Sequence, residues 1–338
     1  MSLTKLDIDR FISTLRTKSK EFNSITNVQL ASMLEETISN INEVAYFWAT
    51  ICSDNKGTTK TPAEGEEWVG GPYAAVLATQ YYRDTLIDDS DLNEDKYNEK
   101  ENSYSVFPNN LIERISFPFV NAKVLFNKSM SFDDINKYRG FSKRYDIDPS
   151  ITLVLGAGNY SSIPYLDVMY HLVTRRSVIL LKLNPVNEYL KPVFEKVFQN
   201  FIERGYIIVT TGSIDESKYM TKHPGVNHIH LTGSDKTYED IVYGRELSVN
   251  DKKVKQLQKI NNKPITSELG NVTPIIIHPG KWSTSDIKYQ ARKIVTGKLN
   301  NNGFNCISAQ VVVLPDGWGH TDTLIKYIKH YMNKIKDR

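Results

Sequence analysis

The sequence has little cysteine and lacks long apolar segments. Only two cysteines, Cys52 and Cys306, occur in the 338 residues, and they lie far apart. This spacing argues against a disulfide framework and favours a reducing compartment. No apolar run reaches the roughly 18 residues of a transmembrane helix, and the N-terminal residues lack the apolar core of a signal peptide. We therefore predict a cytoplasmic protein without a membrane partner.

Neither sign of charge dominates the composition. The net charge is +3 with a pI near 8.5, and 40% of the residues are apolar. These values are typical of a soluble globular protein. The basic residues between Lys326 and Lys336 have the spacing of an amphipathic helix with a solvated face, so we expect no nucleic-acid partner. His223, His228 and His230 lack a cysteine or carboxylate at ligand spacing, so no metal is expected.

Helical periodicity marks the first part of the chain. Apolar residues recur every three or four positions from residue 4 to about 52 and again from about 72 to 86. The acidic, polar segment 87–104 has almost no apolar anchor, which indicates an exposed linker or insertion. We therefore predict a helical N-terminal region over residues 1–110 with a polar insertion at 87–104.

From about residue 114, short apolar runs alternate with helical ones. This alternation is typical of an α/β fold in which helices cover both faces of a parallel sheet. The predicted strands are 151–155, 177–182, 206–210, 226–231, 273–278 and 309–314, and the predicted helices are 163–173, 192–204, 283–299 and 320–336.

A glycine-rich turn follows the first of these strands. Gly156-Ala157-Gly158 stands between a predicted strand and a predicted helix, which is the setting of a dinucleotide-binding fingerprint. Ser161 replaces the third glycine, however, and Lys182 stands where an acidic residue would end the next strand. A standard Rossmann reductase, with the cofactor pyrophosphate over residues 156–161, is therefore a weaker alternative.

A thiol and a carboxylate lie late in the chain, each predicted in a turn rich in glycine or asparagine. Cys306 ends the segment Asn301-x-Gly303-x-x-Cys306, and Glu268 begins Glu268-Leu269-Gly270. A thiolate can attack a carbonyl to form a thioester, and a carboxylate can activate the water that hydrolyses it. The pair predicts thioester chemistry.

Four motifs in one order give the chain a resemblance to the aldehyde dehydrogenase superfamily. They are the stretch from Asn159 to Lys182, the turn Leu231-Thr-Gly-Ser234, the segment Glu268-Leu-Gly270 and the nucleophile loop ending at Cys306. The resemblance covers about residues 110–338. It implies a Rossmann-type dinucleotide-binding α/β domain over 111–265 and a partial catalytic α/β domain over 266–338.

The resemblance implies three catalytic residues. Cys306 would add to the aldehyde, and the Asn159 amide with the backbone N–H of Cys306 would stabilise the oxyanion. Glu268 would activate the water that hydrolyses the thioester. The expected reaction is oxidation of an aldehyde to a carboxylic acid or the related reduction of an acyl thioester.

The resemblance also implies NAD or NADP as cofactor. Lys182 would hydrogen-bond the adenine ribose or a 2′-phosphate, and Gly233 and Ser234 would let the backbone approach the pyrophosphate. Gly158 and Leu269 are further candidates for cofactor binding.

Several positions depart from the family pattern. Gly158 replaces its tryptophan, Pro185 replaces the glutamate that clamps ribose hydroxyls, Asn271 replaces a glycine and Phe304 replaces a glutamine. The sequence also ends soon after Cys306, so we expect an incomplete catalytic lobe with open sheet edges that favour homo-oligomers. The alternative is a shortened, non-catalytic relative that acts as a binding or assembly partner.

Overall fold

Capped helices form the N-terminal region. The computed structural model describes residues 3–88, 92–138, 147–253 and 257–334. Thr4 and Thr26 begin the first two helices with capping boxes, and Gly57 ends the second in the left-handed conformation at φ 68°. The helical periodicity predicted over residues 4–52 is confirmed, with a break between the end of the first helix at Asn23 and the cap of the second at Thr26. These helices are α1 (Lys5–Asn23), α2 (Asn27–Lys56), α3 (Glu64–Trp68) and α4 (Ala74–Ile87).

A small antiparallel sheet follows the helices. Its strands pair in the order β1 (Tyr97–Asn98), β2 (Ser103–Phe107) and β3 (Ala122–Leu125), with α5 (Leu111–Ser116) between β2 and β3 and α6 (Phe132–Tyr138) after them. The segment predicted as a polar insertion contains β1 and the start of β2, which its polar composition did not indicate. Residues 89–91 of that segment lie outside the described residues.

A parallel sheet of five strands forms the centre of the described structure, in the order β6-β5-β4-β7-β8. All residues of β4 and β5 are buried, and helices α1 and α7 both pack on these two strands. The predicted parallel α/β fold is therefore confirmed. The elements are β4 (Ile151–Leu155), α7 (Ile163–Met169), β5 (Val178–Lys182), α8 (Lys191–Val197), α9 (Gln199–Glu203), β6 (Ile207–Thr210), α10 (Ile214–Lys222), β7 (His228–Gly233), α11 (Asp235–Tyr243) and β8 (Ile265–Leu269).

The strand β8 alters the expected surroundings of Glu268. Glu268 was predicted in a turn, but it lies inside β8 and pairs with Thr232 of β7. The turn prediction was wrong because three of the five residues in Ile265-Thr-Ser-Glu-Leu269 are polar. This edge strand therefore lacks the continuous apolar run that marks a strand buried in a parallel sheet. The domain boundary predicted between residues 265 and 266 falls within this strand.

The last elements form a lobe with its own hydrophobic core. Strands β9 (Pro274–Ile276) and β10 (Val311–Val313) pair in parallel, and helices α12 (Thr284–Leu299) and α13 (Thr321–Lys334) pack against each other beside them. The outward face of this pair is uncovered, and Ile276 is 74% exposed. The expected second lobe is therefore present as two described strands with one bare face.

Candidate active site

A cavity of about 580 Å³ opens at the carboxyl ends of β4, β5 and β7. Chain order reverses here, because β5 and β6 extend from β4 on one side and β7 and β8 on the other. Open α/β sheets bind ligands at such a reversal. Gly156, Lys182, Gly233 and Ser234 line the cavity.

The start of α11 borders this cavity. The hydroxyl of Ser234 accepts a hydrogen bond from the backbone N–H of Thr237 and caps the helix. Ser234 and Thr237 both line the cavity, so the positive end of the helix dipole faces it. This wall can therefore accept an anionic group.

Lys182 supplies a second positive feature of the cavity. Lys182 is the last residue of β5 and is only 6% exposed. Burial lowers the pKa of its ammonium, an effect that Glu188 and Glu216 partly oppose. Among the described residues its ammonium has no hydrogen-bond acceptor. The charge of such a largely buried lysine is stabilised by an anionic or oxygen-rich ligand.

The other lysines of the cavity wall are already paired. Lys218 lies 3.1 Å from Asp240, and Lys236 lies 3.3 Å from Glu246. These pairs keep the remaining wall close to neutral. Lys182 is therefore the lysine of this wall best placed to meet a ligand.

Two predicted cofactor residues lie outside the cavity wall. A side chain at Gly158 would clash with Asn184, since its Cβ would lie 2.9 Å from two atoms of that amide. Leu269 ends β8 and pairs with Gly233. Gly158 thus permits close packing of two loops, and Leu269 backs the strand that carries Gly233.

Cys306 is exposed and follows a tight turn after α12. Its Sγ lies 3.8 Å from the side-chain oxygen of Asn305. The other cysteine, Cys52, is fully buried, and burial raises the pKa of its thiol to about 11. The two thiols therefore differ in access, and reagents in solvent reach Cys306 first.

The turn that precedes Cys306 is tied to the residue that follows Asn159. The Tyr160 hydroxyl donates to Asn300 Oδ1 at 2.7 Å, and the Asn305 amide donates to the same oxygen at 3.0 Å. Asn159 and Cys306 are each one residue away from this hydrogen-bonded group. The structure thus brings Asn159 and the Cys306 loop into one region.

Glu268 lies at the carboxyl end of the neighbouring part of the sheet. It is exposed, and its strand neighbour Thr232 precedes Gly233 in the cavity wall. The described contacts do not join Glu268 to Cys306. Its place in the site stays a prediction.

A charged cluster beside the loop of Cys306 was not predicted from the sequence. Lys56 at the end of α2 is ion-paired with Glu67 at 2.8 Å and donates to Asn301 Oδ1 at 2.7 Å. Lys56 and Asn301 are separated by 245 positions in the chain. No local pattern could have indicated this contact.

A buried histidine pair lies on the face of the central sheet. His171 and His230 have ring centroids 5.0 Å apart, and His230 lies 3.2 Å from Asp167 and 2.8 Å from the Thr266 hydroxyl. His223 contacts Asp9 instead. No group of three metal-binding side chains occurs in the parts of the chain that the structure describes.

None of the helices in the described parts of the chain combines the length and the apolar character needed to cross a membrane.

The strand order and the cavity at its reversal define an α/β protein with a ligand cavity at the carboxyl edge of a parallel sheet. The model of the aldehyde dehydrogenase family matches residues 169–337, which is half of the chain. The chain belongs to the aldehyde dehydrogenase family. This result confirms the resemblance and the fold class predicted from the sequence.

Individual relatives are distant. The N-succinylglutamate 5-semialdehyde dehydrogenase of Sphingopyxis alaskensis is 23% identical over 183 residues, which are 54% of this chain and 34% of that protein. The structure of an NADP-dependent glyceraldehyde-3-phosphate dehydrogenase from Bacillus halodurans, complexed with NADP, is similar with a TM-score of 0.62 at 17% identity. A betaine aldehyde dehydrogenase variant from Staphylococcus aureus, in complex with NAD⁺, has a TM-score of 0.64 at 15% identity.

The similarity covers nearly all of this chain but only part of the similar proteins. The two structures match 98% and 99% of this chain, but the chain spans only 58% and 56% of theirs. At these identities the likeness shows the fold alone.

Proposed function

We propose that the chain carries the nucleophile and the cofactor site of an NAD(P)-dependent aldehyde dehydrogenase. The observation that carries this proposal is that Cys306 is exposed on a loop that hydrogen-bonds to Tyr160, the residue after Asn159. A cavity suited to a dinucleotide opens on the same edge of the central sheet. Family membership supports the same chemistry.

The cavity fits a dinucleotide by charge and position. In the proposal Lys182 contacts the adenine ribose or a 2′-phosphate, and Gly233 and Ser234 accept the pyrophosphate at the start of α11. Gly158 and Leu269 hold the adjoining loops. The nicotinamide supplies the hydride acceptor when the cofactor is bound.

The protein side chains handle the carbonyl and the protons. The Cys306 thiolate bonds to the aldehyde carbon, and the carbonyl oxygen gains the negative charge that the Asn159 amide stabilises. After oxidation the carbon is bound as a thioester. Glu268 takes a proton from water, whose oxygen attacks the thioester, and the carboxylic acid leaves as the Cys306 thiolate is restored.

The test joins thiol labelling to turnover. Purified chain is treated with an iodoacetamide reagent, with and without NAD⁺ or NADP⁺, and Cys52 serves as internal control. We expect faster labelling of Cys306 than of Cys52, a rate that one dinucleotide alters, and reduced nicotinamide formed from a panel of aldehydes. Cys306→Ser should abolish that turnover, and activity that survives the change would refute the role of Cys306.

A second function is favoured by the bare face of β9 and β10. A non-catalytic relative would use this lobe as a binding or assembly surface. Labelling of Cys306 that neither dinucleotide alters, together with no turnover on the aldehyde panel, would favour this alternative. Robust turnover by the 338-residue chain would refute it.

A further inference from the structure

The loop that carries Cys306 contains an uncommon run of backbone conformations. Asn301, Asn302 and Gly303 have φ values of 52°, 54° and 79°, so three consecutive residues are left-handed. Residues other than glycine adopt this region rarely. Such a backbone persists only where its surroundings fix it.

Asn301 receives most of the contacts that fix this run. It is 3% exposed, and its side-chain amide donates to the carbonyl of Phe304 at 2.7 Å. Its backbone N–H donates to Glu66 Oε2 at 2.5 Å, and its side-chain oxygen accepts from Lys56 Nζ at 2.7 Å. Two of these three contacts come from the N-terminal helices, more than 230 positions away in the chain.

Lys56 is built into this position. Its Nζ lies 2.8 and 2.9 Å from the two carboxylate oxygens of Glu67, and the two side chains are 11% and 4% exposed. An ammonium has three donors, and Asn301 takes the one that Glu67 leaves. The same ammonium lies 5.8 Å from the centre of the Tyr160 ring. Lys56 therefore touches both the nucleophile loop and the neighbour of Asn159.

Loss of this contact would affect the loop more than the rest of the fold. Lys56 is the last residue of α2, and the buried apolar side chains of that helix end at Cys52. Asn301 would lose its only described contact to a cation, and Asn302 Oδ1 is already buried without a partner among the described residues. Nothing else described holds the Asn301 side-chain oxygen.

We propose that Lys56, held by Glu67, is a positioning residue that fixes Asn301 and thereby the place of Cys306 relative to Asn159. Its effect on catalysis rests on the function proposed above, whereas its effect on the loop does not. Lys56 does not touch the reacting atoms. It acts through Asn301.

The variants are chosen to separate loop position from folding. Lys56→Met removes the donors but leaves Glu67 buried without its partner. The double variant Lys56→Met/Glu67→Gln removes both charges at nearly constant shape. Lys56→Arg keeps the charge and donors. Lys196→Met is the control for loss of a lysine ion pair to α2, because Lys196 pairs with Glu43 of that helix, far from the loop.

Hydrogen exchange of the loop amides is the first measurement. In the double variant, exchange at residues 302–306 should accelerate about tenfold or more, while exchange in β4 and β5 stays as in the wild type. In Lys56→Arg the loop amides should exchange more slowly than in the double variant. In Lys196→Met they should exchange at the wild-type rate. Unchanged loop exchange in a folded double variant would overturn the proposal.

Kinetics is the second measurement. The double variant should lower kcat by roughly ten- to a hundredfold, because small displacements of a nucleophile cost that much, while KM for the aldehyde changes less than about twofold. Lys56→Arg should recover part of the lost kcat. A rise in KM for the aldehyde of roughly ten- to a hundredfold with constant kcat would contradict positioning of the nucleophile.

The two measurements separate the two proposals. If the wild-type chain lacks turnover but the loop still responds to the double variant, the proposed function fails and the positioning role stands. If turnover is present and neither kcat nor loop exchange responds, the function stands and the positioning role is wrong.

Discussion

The buried His171 should make the fold sensitive to mild acid. The residue is 1% exposed, and neither ring nitrogen has a hydrogen-bond partner among the described residues. Burial, and after it the neighbouring charges of His230, Arg175 and His228 in that order, lowers its pKa to about 3. The folded protein therefore holds this ring neutral under conditions where an unfolded chain would protonate it.

The magnitude follows from proton linkage. An unfolded histidine has a pKa near 6.5, so below that pH the unfolded state binds one more proton than the folded state. Stability is present above pH 6.5 and falls as the pH drops towards the folded pKa of His171. Each pH unit below 6.5 costs about 1.36 kcal/mol. Little is lost between pH 7.5 and 6.5, so the loss between pH 7.5 and 5 is about 2 kcal/mol. This figure requires only that the folded pKa lies well below 5.

Urea unfolding of the wild type and of His171→Leu measures this effect. Leucine fills a similar volume without a titrating group, and the difference between the two free energies of unfolding cancels the other groups of the chain. The wild type should lose about 2 kcal/mol relative to the variant between pH 7.5 and 5. Parallel pH profiles for the two proteins would refute the assignment of a neutral, unpartnered His171.

Three more predictions concern the site and its support. Lys182→Met should weaken NADP⁺ binding about tenfold and NAD⁺ binding less, since Lys182 is the lysine of the cavity wall whose ammonium has no acceptor among the described residues. Titration calorimetry measures both affinities. Equal affinities for wild type and variant would contradict the role of Lys182. Glu268→Gln should leave a burst of reduced nicotinamide followed by turnover slowed roughly a hundredfold, because the thioester waits for its base; rapid-mixing absorbance shows the burst, and unchanged steady-state turnover would remove Glu268 from the mechanism. Trp48→Phe should lower the free energy of unfolding by about 1 kcal/mol, because the buried indole N–H donates to Ser161 Oγ at 2.9 Å; denaturant unfolding checks it, and an unchanged midpoint would count against that hydrogen bond.

Strands buried on both faces were the easiest elements to predict. The strand predicted at 151–155 was found with those bounds, and the one predicted at 177–182 began one residue later. Both are continuous apolar runs in the middle of a parallel sheet. The strand predicted at 226–231 was found at His228–Gly233, since its polar His228 and Thr232 blur the pattern.

Elements that depend on local irregularities were harder to predict. The helix expected at 192–204 breaks at Phe198, and the one expected at 163–173 ends in a π-helical turn at Tyr170–Thr174. Both retain helical spacing of apolar residues across the irregularity. Periodicity alone cannot show such a break.

The candidate site was only partly visible in the sequence. Short motifs predicted Cys306, Asn159 and Lys182 as site residues because their neighbours in the chain have the residue types of recognisable turns. The Lys56–Asn301 contact could not be predicted, because it joins residues 245 positions apart. Contacts of that kind depend on tertiary packing, which no local pattern encodes.

Helix α2 also fixes the distance between two of its contacts with the rest of the fold. It has 30 residues, or about 45 Å at 1.5 Å per residue. Near its middle, Asn40 donates to the carbonyl of Val197, and at its end Lys56 donates to Asn301. One residue inserted between these two points would turn the end of the helix by about 100° and carry the lysine away from the loop. The contact between Lys56 and Asn301 therefore depends on the number of residues between Asn40 and Lys56 as well as on the lysine itself.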